Sequence, residues 1–350
     1  MDNTLALTPV SGNGEDIYTN VNPHWRPPWG RGIFGGGIIA QSLCAAQRTV
    51  PLAFCAHSMH CYFVRPGTSS DPVFYHAERI GDGKNFACRI IRAMQRGHCI
   101  FTATVSFARE PPSHQNPMLK HAAPMPTDLT PPPSIVNSAR LTKTAPAGEN
   151  SPCECVRPLV ESSGPEVPPE QRKVRQWIRA KGLAGDNLTQ NSGAEHHSHL
   201  AALAYMTDCY FIGTTARVHG VTRFADKEYI DRTVESLGGN AEEKAWRRGY
   251  FEELASEEAR QNESSSWKPD GQACVRVGMM VSLDHTIFFH QPRSCKSDQW
   301  MLAEMDSPWT GNERGLVTQR IWSQTGELIA TCVQEGILRL APTGLEDAKL

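Results

Sequence analysis

Fourteen of the chain's 25 prolines fall between Pro111 and Pro169, around a Pro131-Pro132-Pro133 centre, in a stretch with few aromatic residues. Proline fixes φ and supplies no amide donor, so neither a helix nor an inner strand survives at that density. Such a segment buries too little to form its own core and reads as an extended linker. A chain of 350 residues is thereby divided into two halves of ordinary domain size.

Each half repeats the same order of elements. In the first, Gly35-Gly36-Gly37 opens a helix whose Ile38, Ile39, Leu43 and Ala46 leave little polar surface, which predicts a buried helix. Strand-like segments follow at Cys55–Pro66, Pro72–Ile80, Asn85–Gln95 and His98–Arg109, separated by turn residues in the rhythm of an antiparallel meander. In the second half, Lys173–Lys181 is strand-like and Leu200–Ile212 has helical spacing, ended by Gly213. Strands are then expected at Met279–Pro292, Gln299–Met305, Arg314–Ser323 and Glu327–Leu340. Tyr62-Phe63-Val64-Arg65-Pro66 is answered by Phe288-Phe289-His290-Gln291-Pro292, and Gly97 to Thr102 by Gly326 to Thr331, in the same order, which argues for a duplicated module. One helix followed by a meander is an α+β pattern and not a parallel, doubly wound one. The expected organisation is a module over 1–110, a linker over 111–170 and a second module over 171–345, with a short tail at 346–350. A charged insertion at about 217–273 interrupts the second module; Glu242–Arg248 and Phe251–Arg260 are helix-like within it, and it reads as a solvated lid or dimer arm.

A formal charge of −2 gives no general field for nucleic acid or an anionic membrane. No apolar run approaches the roughly 18 residues of a spanning helix, and Met1–Gly14 lacks a signal-peptide pattern. The 11 cysteines, scattered through apolar segments, read as small buried hydrophobes in a reducing compartment. Cys153 and Cys155 are read as surface-loop cysteines, since a Cys-x-Cys without a second pair is a weak metal signal. Glu195-His196-His197-Ser198-His199 is taken as a helix start rather than a metal site. The three glycines lack Gly-x-Gly-x-x-Gly spacing, which argues against a dinucleotide site.

Asp208 is the acid that stands out. It falls within the apolar Leu200–Ile212 segment, where an unpaired carboxylate costs several kcal/mol of desolvation. A structural acid is the bland reading; its company elsewhere in the chain changes the balance.

Phe34-Gly-Gly-Gly-Ile-Ile-Ala-Gln-Ser-Leu43, His57-Ser-Met-His-Cys-Tyr-Phe-Val-Arg-Pro-Gly67, Thr207-Asp208, Ser282-Leu-Asp-His285, Phe289-His290 and Val333-Gln-Glu-Gly336 together resemble the acyl-CoA thioesterase II family, which includes bacterial TesB and the peroxisomal acyl-CoA thioesterases. The resemblance covers both halves. It implies a double hotdog, each module a long helix wrapped by a curved antiparallel sheet, and hydrolysis of acyl-CoA to free acid and coenzyme A. By motif it places a water-activating set on Asp208, Ser282 and Gln334; Gly35, Gly36, Gly37 and His57 are candidate substrate contacts. A water held by these groups attacks a thioester without a covalent intermediate. No metal or redox cofactor is implied, coenzyme A being part of the substrate. Where the family usually has Gln after Phe-Gly-Gly, this chain has Gly37, which bears on acyl preference or turnover. Ala348-Lys349-Leu350 resembles the Ser-Lys-Leu type of peroxisomal address, so a peroxisomal location and contact with the import receptor are expected. A homo-oligomer is also expected.

Other readings remain open on sequence alone. A hotdog hydratase or dehydratase resembles its relatives in an Asp followed five residues on by His; here that position is Gly213. A serine hydrolase is disfavoured because no Gly-x-Ser-x-Gly elbow exists, and adjacent Asp284 and His285 on a strand face opposite ways. His57 and His60 alternatively pack within the sheet. A non-catalytic acyl-CoA-binding protein and a thioesterase releasing a specialised acyl product fit the same residues.

Overall fold

The computed structural model describes residues 1–10, 16–28, 30, 32–109, 119–129, 151–156, 167–183, 195–223, 227–263 and 275–342. The Pro131–Pro133 centre of the linker, the 264–274 end of the insertion and the Ala348-Lys349-Leu350 tripeptide lie outside the described residues.

Six helices are described: α1 (Asp2–Leu5), α2 (Gly35–Gln47), α3 (Glu195–Thr207), α4 (Gly213–Val218), α5 (Lys227–Leu237) and α6 (Ala241–Glu263). The strands of the first half are β1 (Leu7–Pro9), β2 (Asp16–Asn20), β3 (Phe54–Phe63), β4 (Phe74–Asp82), β5 (Phe86–Gln95) and β6 (His98–Arg109). Those of the second are β7 (Cys153–Val156), β8 (Val174–Ala180), β9 (Val275–Ser282), β10 (Asp284–Phe289), β11 (Met301–Gly311), β12 (Arg314–Ser323) and β13 (Leu328–Pro342). All thirteen join one antiparallel sheet in the order β1-β2-β4-β5-β6-β3-β10-β13-β12-β11-β8-β7, with β9 also paired to β13. This is the double hotdog that the sequence implied.

The alternation of β6 shows why the sheet curls around a helix. Phe101, Ala103, Val105 and Phe107 turn inward while the residues between them are partly exposed. The helix they enclose is buried on nearly all sides: Ile39, Ala40, Leu43, Ala45 and Ala46 are fully buried, and its Gln41, also buried, accepts from the Tyr75 hydroxyl at 2.7 Å. Each large aliphatic or aromatic side chain buried here contributes about 1.5–3 kcal/mol. The two long helices pack on each other. Their approach depends on Gly36, where a β-carbon would stand 2.3 Å from the Tyr205 carbonyl oxygen.

The halves meet at β3 and β10, where His60 pairs in register with Thr286 and their side chains are 3.2 Å apart. These two are counterparts when Tyr62-Phe63 is matched to Phe288-Phe289, so a local two-fold passes between them. The internal repeat is thus visible as a symmetric strand pair at the centre of the sheet.

Several expectations are corrected. Met279–Pro292 is two strands, broken at Leu283, whose N–H reaches the Glu335 carbonyl while its own carbonyl accepts from Phe63. The break lets β10 enter between β3 and β13 while β9 follows the far end of β13. The two helices read within the insertion are one, α6; a single interior glycine, Gly249, costs only about 1 kcal/mol and does not end a helix. Within the stretch read as linker, Cys153–Val156 is a strand paired to β8, and Met125 and Leu129 pack against Trp177, Trp300, Leu302 and Trp322. Cys153 and Cys155 are buried and not surface-loop residues, because strand alternation turns both inward. The Leu200–Ile212 helix ends at Thr207. Thr207 Oγ1 donates to the Ala204 carbonyl at 2.8 Å, Tyr210 takes a left-handed φ of 61°, and Gly213 opens α4 rather than closing α3.

Candidate active site

Asp208 therefore sits not within a helix but in the turn between α3 and α4, and that placement allows its carboxylate to meet groups from three other elements. Gln334 on β13 donates from Nε2 to Oδ1 at 2.9 Å. The Gly36 amide, in the first turn of α2, donates to the same carboxylate, where the positive end of the helix favours an anion. Gly35 lies against the other oxygen, since a β-carbon there would stand 2.6 Å from Oδ2.

Gln334 is itself fixed from behind. Its Nε2 also approaches Nδ1 of His285 at 3.0 Å, and His285 Nε2 lies 2.9 Å from Thr207 Oγ1. Because Thr207 donates its hydroxyl proton to Ala204, the imidazole must donate from Nε2 and accept at Nδ1. Burial holds the His285 pKa down to about 3, so the ring is neutral and keeps that tautomer. Both amide protons of Gln334 are then committed, one to His285 and one to Asp208. The amide oxygen is buried without a partner among the described residues. A buried acceptor of this kind, beside a carboxylate, is a site for a proton donor such as water.

Asp208 is half-buried, and desolvation raises its pKa to about 6 against the opposing hydrogen bonds of Gln334 and Gly36. A carboxylate poised there is ionised at neutral pH yet basic enough to accept a proton.

The carboxylate opens on a cavity of about 670 Å³. Ile38, Phe63, Phe101, Phe211 and Met280 give it apolar walls, and Arg65, Arg217 and Arg223 also line it. Leu254 and Glu258 bring α6 to the same wall, so the charged insertion is part of the cavity; Ile230, Val234 and Phe251 form its own small core.

Of the residues singled out in the sequence, Asp208 and Gln334 are in direct contact. Ser282, at the end of β9, lines the cavity with Asp208 and makes no hydrogen bond to either among the described residues. Gly35 lines the cavity; Gly36 reaches the carboxylate through its amide. At Gly37 a β-carbon would stand 3.3 Å from Nδ1 of His24, so a side chain there would be directed at His24 and not at Asp208. His57 is outside the cavity lining, its Nε2 2.8 Å from Ser106 Oγ on β6. The sequence reading missed His285 and Thr207 as supports of Gln334. The signal was present in the period of two, because Phe289 and Ile287 carry the buried face of β10 back to His285.

The description "Acyl-CoA thioesterase N-terminal domain" matches residues 22–108, and "Acyl-CoA thioesterase C-terminal domain" matches residues 123–338. The chain belongs to the acyl-CoA thioesterase family. Acyl-coenzyme A thioesterase 8 of Mus musculus is 30% identical over 351 residues, which span 97% of this chain and 88% of that one. The peroxisomal acyl-coenzyme A thioester hydrolase 1 of Saccharomyces cerevisiae is 35% identical over 108 residues, 31% of this chain and 30% of that one. Among solved structures, the acyl-CoA thioesterase II TesB2 of Mycobacterium marinum superposes with a TM-score of 0.63 at 24% identity, covering 99% of each chain; at that identity the likeness shows the fold. As a member of this thioesterase family the chain is a thioester hydrolase acting on acyl-CoA.

Proposed function

We propose that the chain hydrolyses acyl-CoA by direct attack of a water held between Asp208 and Gln334. The observation that carries this reading is the half-buried Asp208 carboxylate, hydrogen-bonded to Gln334 and Gly36, facing an apolar cavity. The water donates one proton toward Asp208 and the other toward the Gln334 amide oxygen, which aims its lone pair at the thioester carbon. As the new C–O bond forms, Asp208 takes the proton and the carbonyl oxygen becomes an oxyanion. When the C–S bond breaks, Asp208 returns that proton to the departing sulfur, giving free acid, coenzyme A thiol and the starting carboxylate. Ser282, in the same cavity, supplies a hydroxyl for the water or the carbonyl, and the first turn of α2 presents its positive end through Gly35. These side chains suffice for the route, which uses no cofactor.

The apolar walls suit an acyl chain, and Arg65, Arg217 and Arg223 suit the phosphates of coenzyme A, for which guanidinium is well matched. Release of free thiol from acyl-CoA by the wild type and by Asp208→Asn tests the assignment; equal rates remove Asp208 from the mechanism. A screen over short, long, branched and hydroxylated acyl-CoAs defines the acyl preference and separates ordinary fatty acyl substrates from a specialised one.

The name of the yeast relative supports a peroxisomal location. In the proposed reading the import receptor recognises Ala348-Lys349-Leu350, tested by whether a fluorescent amino-terminal fusion leaves the organelle when these three residues are removed. A homo-oligomer is also proposed, supported by exposed Tyr62, Phe86 and Phe288 on the sheet and tested by sedimentation.

A further inference from the structure

Three thiols from distant parts of the chain converge beside the Asp208 turn. Cys153 and Cys155 lie two apart on β7, so strand alternation points both the same way. Cys209, the residue after Asp208, meets them from the α3–α4 turn. The three sulfur atoms all lie within 4.8 Å of one another and all three residues are buried. Cys153 Sγ and Cys209 Sγ are 3.6 Å apart.

We propose that Cys153, Cys155 and Cys209 form a trithiolate site for one thiophilic metal ion, Zn(II) or Cu(I), which braces the turn carrying the catalytic carboxylate. The spacing suits such an ion. A Zn–S bond of about 2.3 Å implies a tetrahedral S–S edge of roughly 3.7 Å, close to the observed separation. A disulfide would join two of these sulfurs and leave the third unused, whereas an ion engages all three. Tyr205, four residues before Cys209, has a phenolic oxygen buried without a hydrogen-bond partner among the described residues.

Binding replaces three S–H protons, which leave to solvent, with one ion. With Zn(II) the trithiolate keeps one net negative charge, and Lys181, just past β8, lies within electrostatic reach of Cys153. The consequence for the turn is mechanical. Gln176 on β8 already donates to the Cys209 carbonyl at 3.0 Å, and an ion on the Cys209 sulfur would pin the same residue to β7 as well. The ion takes no part in thioester attack.

The test is titration of reduced, metal-free full-length protein with Zn(II) against a competing chromophoric chelator, and with Co(II), whose thiolate charge-transfer bands report sulfur ligation. One ion per chain with those bands is expected, at least about tenfold weaker in Cys153→Ser and in Cys209→Ser. Cys99→Ser, on β6 away from the group, should bind as the wild type does. Zn(II) should also raise the thermal midpoint of the wild type, a readout that does not require a folded variant. Absence of thiolate bands in the wild type, or binding unchanged in Cys209→Ser, overturns the proposal. So does loss of two hydrogens in a Cys153–Cys209 cross-link under peroxide in protein that binds no ion, which would mark a redox pair.

Discussion

Gly35 leaves no space for a side chain beside Asp208: a β-carbon at position 35 would stand 2.6 Å from Oδ2 and 3.0 Å from the Phe63 ring. The Asp208 carboxylate is flanked by backbone, and its position depends on the absence of an atom.

Gly35→Ala should therefore displace the carboxylate while leaving the fold. A misplacement near 1 Å costs on the order of a hundredfold in rate, so kcat should fall by about that factor with an unchanged circular dichroism spectrum. Gly36→Ala should behave differently. Its clash is with the Tyr205 backbone, so it should separate α2 from α3 and lower stability by about 1–3 kcal/mol or more, read in urea.

Asp208→Asn should lose about 10²–10⁴ in rate and yet be more stable than the wild type at neutral pH. The folded pKa is raised to about 6 from 3.8, so between those values the folded state binds more protons than the unfolded one. Wild-type stability contributed by this group is full below pH 3.8 and lost as pH rises through 6. The shift corresponds to roughly 3 kcal/mol. Urea unfolding at pH 8 and at pH 5 should show the Asn variant's advantage shrinking at the lower pH.

The same ionisation sets the rate profile. kcat/KM should rise with pH through about 6 and then level, reporting the Asp208 carboxylate. Because the hydrogen bond from Gln334 lowers that pKa, Gln334→Ala should move the limb to higher pH as well as reduce the plateau. A profile unmoved by Gln334→Ala would separate that side chain from the base.

Arg217→Ala should raise KM for acyl-CoA by about tenfold or more, the loss of one charge-assisted hydrogen bond being worth roughly 1.5–3 kcal/mol. With an S-acyl-pantetheine, which lacks the nucleotide phosphates, the variant and the wild type should differ little. Steady-state kinetics on the two substrates checks this.

Much of this architecture could be read from residue patterns, and the failures share a physical cause. The strands of the meander, the two long helices and the repeat were legible because burial alternates with a period of two on β5 and β6 and is continuous on α2. Asp208 and Gln334 were legible by resemblance. What escaped depended on neighbours distant in sequence. The end of α3 at Thr207 is decided by a hydroxyl turning back to Ala204 and by a left-handed Tyr210, which apolar spacing does not encode. His285 became a support of the amide only when β10 crossed behind Gln334. Cys153 and Cys155 lay in a proline-rich stretch that read as solvent-exposed, and their inward face exists only because β8 accepts them as a neighbouring strand.

The pairing of His60 with Thr286 fixes which other positions of the two halves are equivalent. Applying the correspondence of the two halves to the polar network, Met59 answers His285 and Val105 answers Gln334. Both are fully buried and face each other in register. The second half thus holds a polar pair at the places where the first holds hydrocarbon. The two-fold that relates the backbones of the two halves does not extend to the side chains they carry, so the cavity beside Asp208 has no twin built from the equivalent positions.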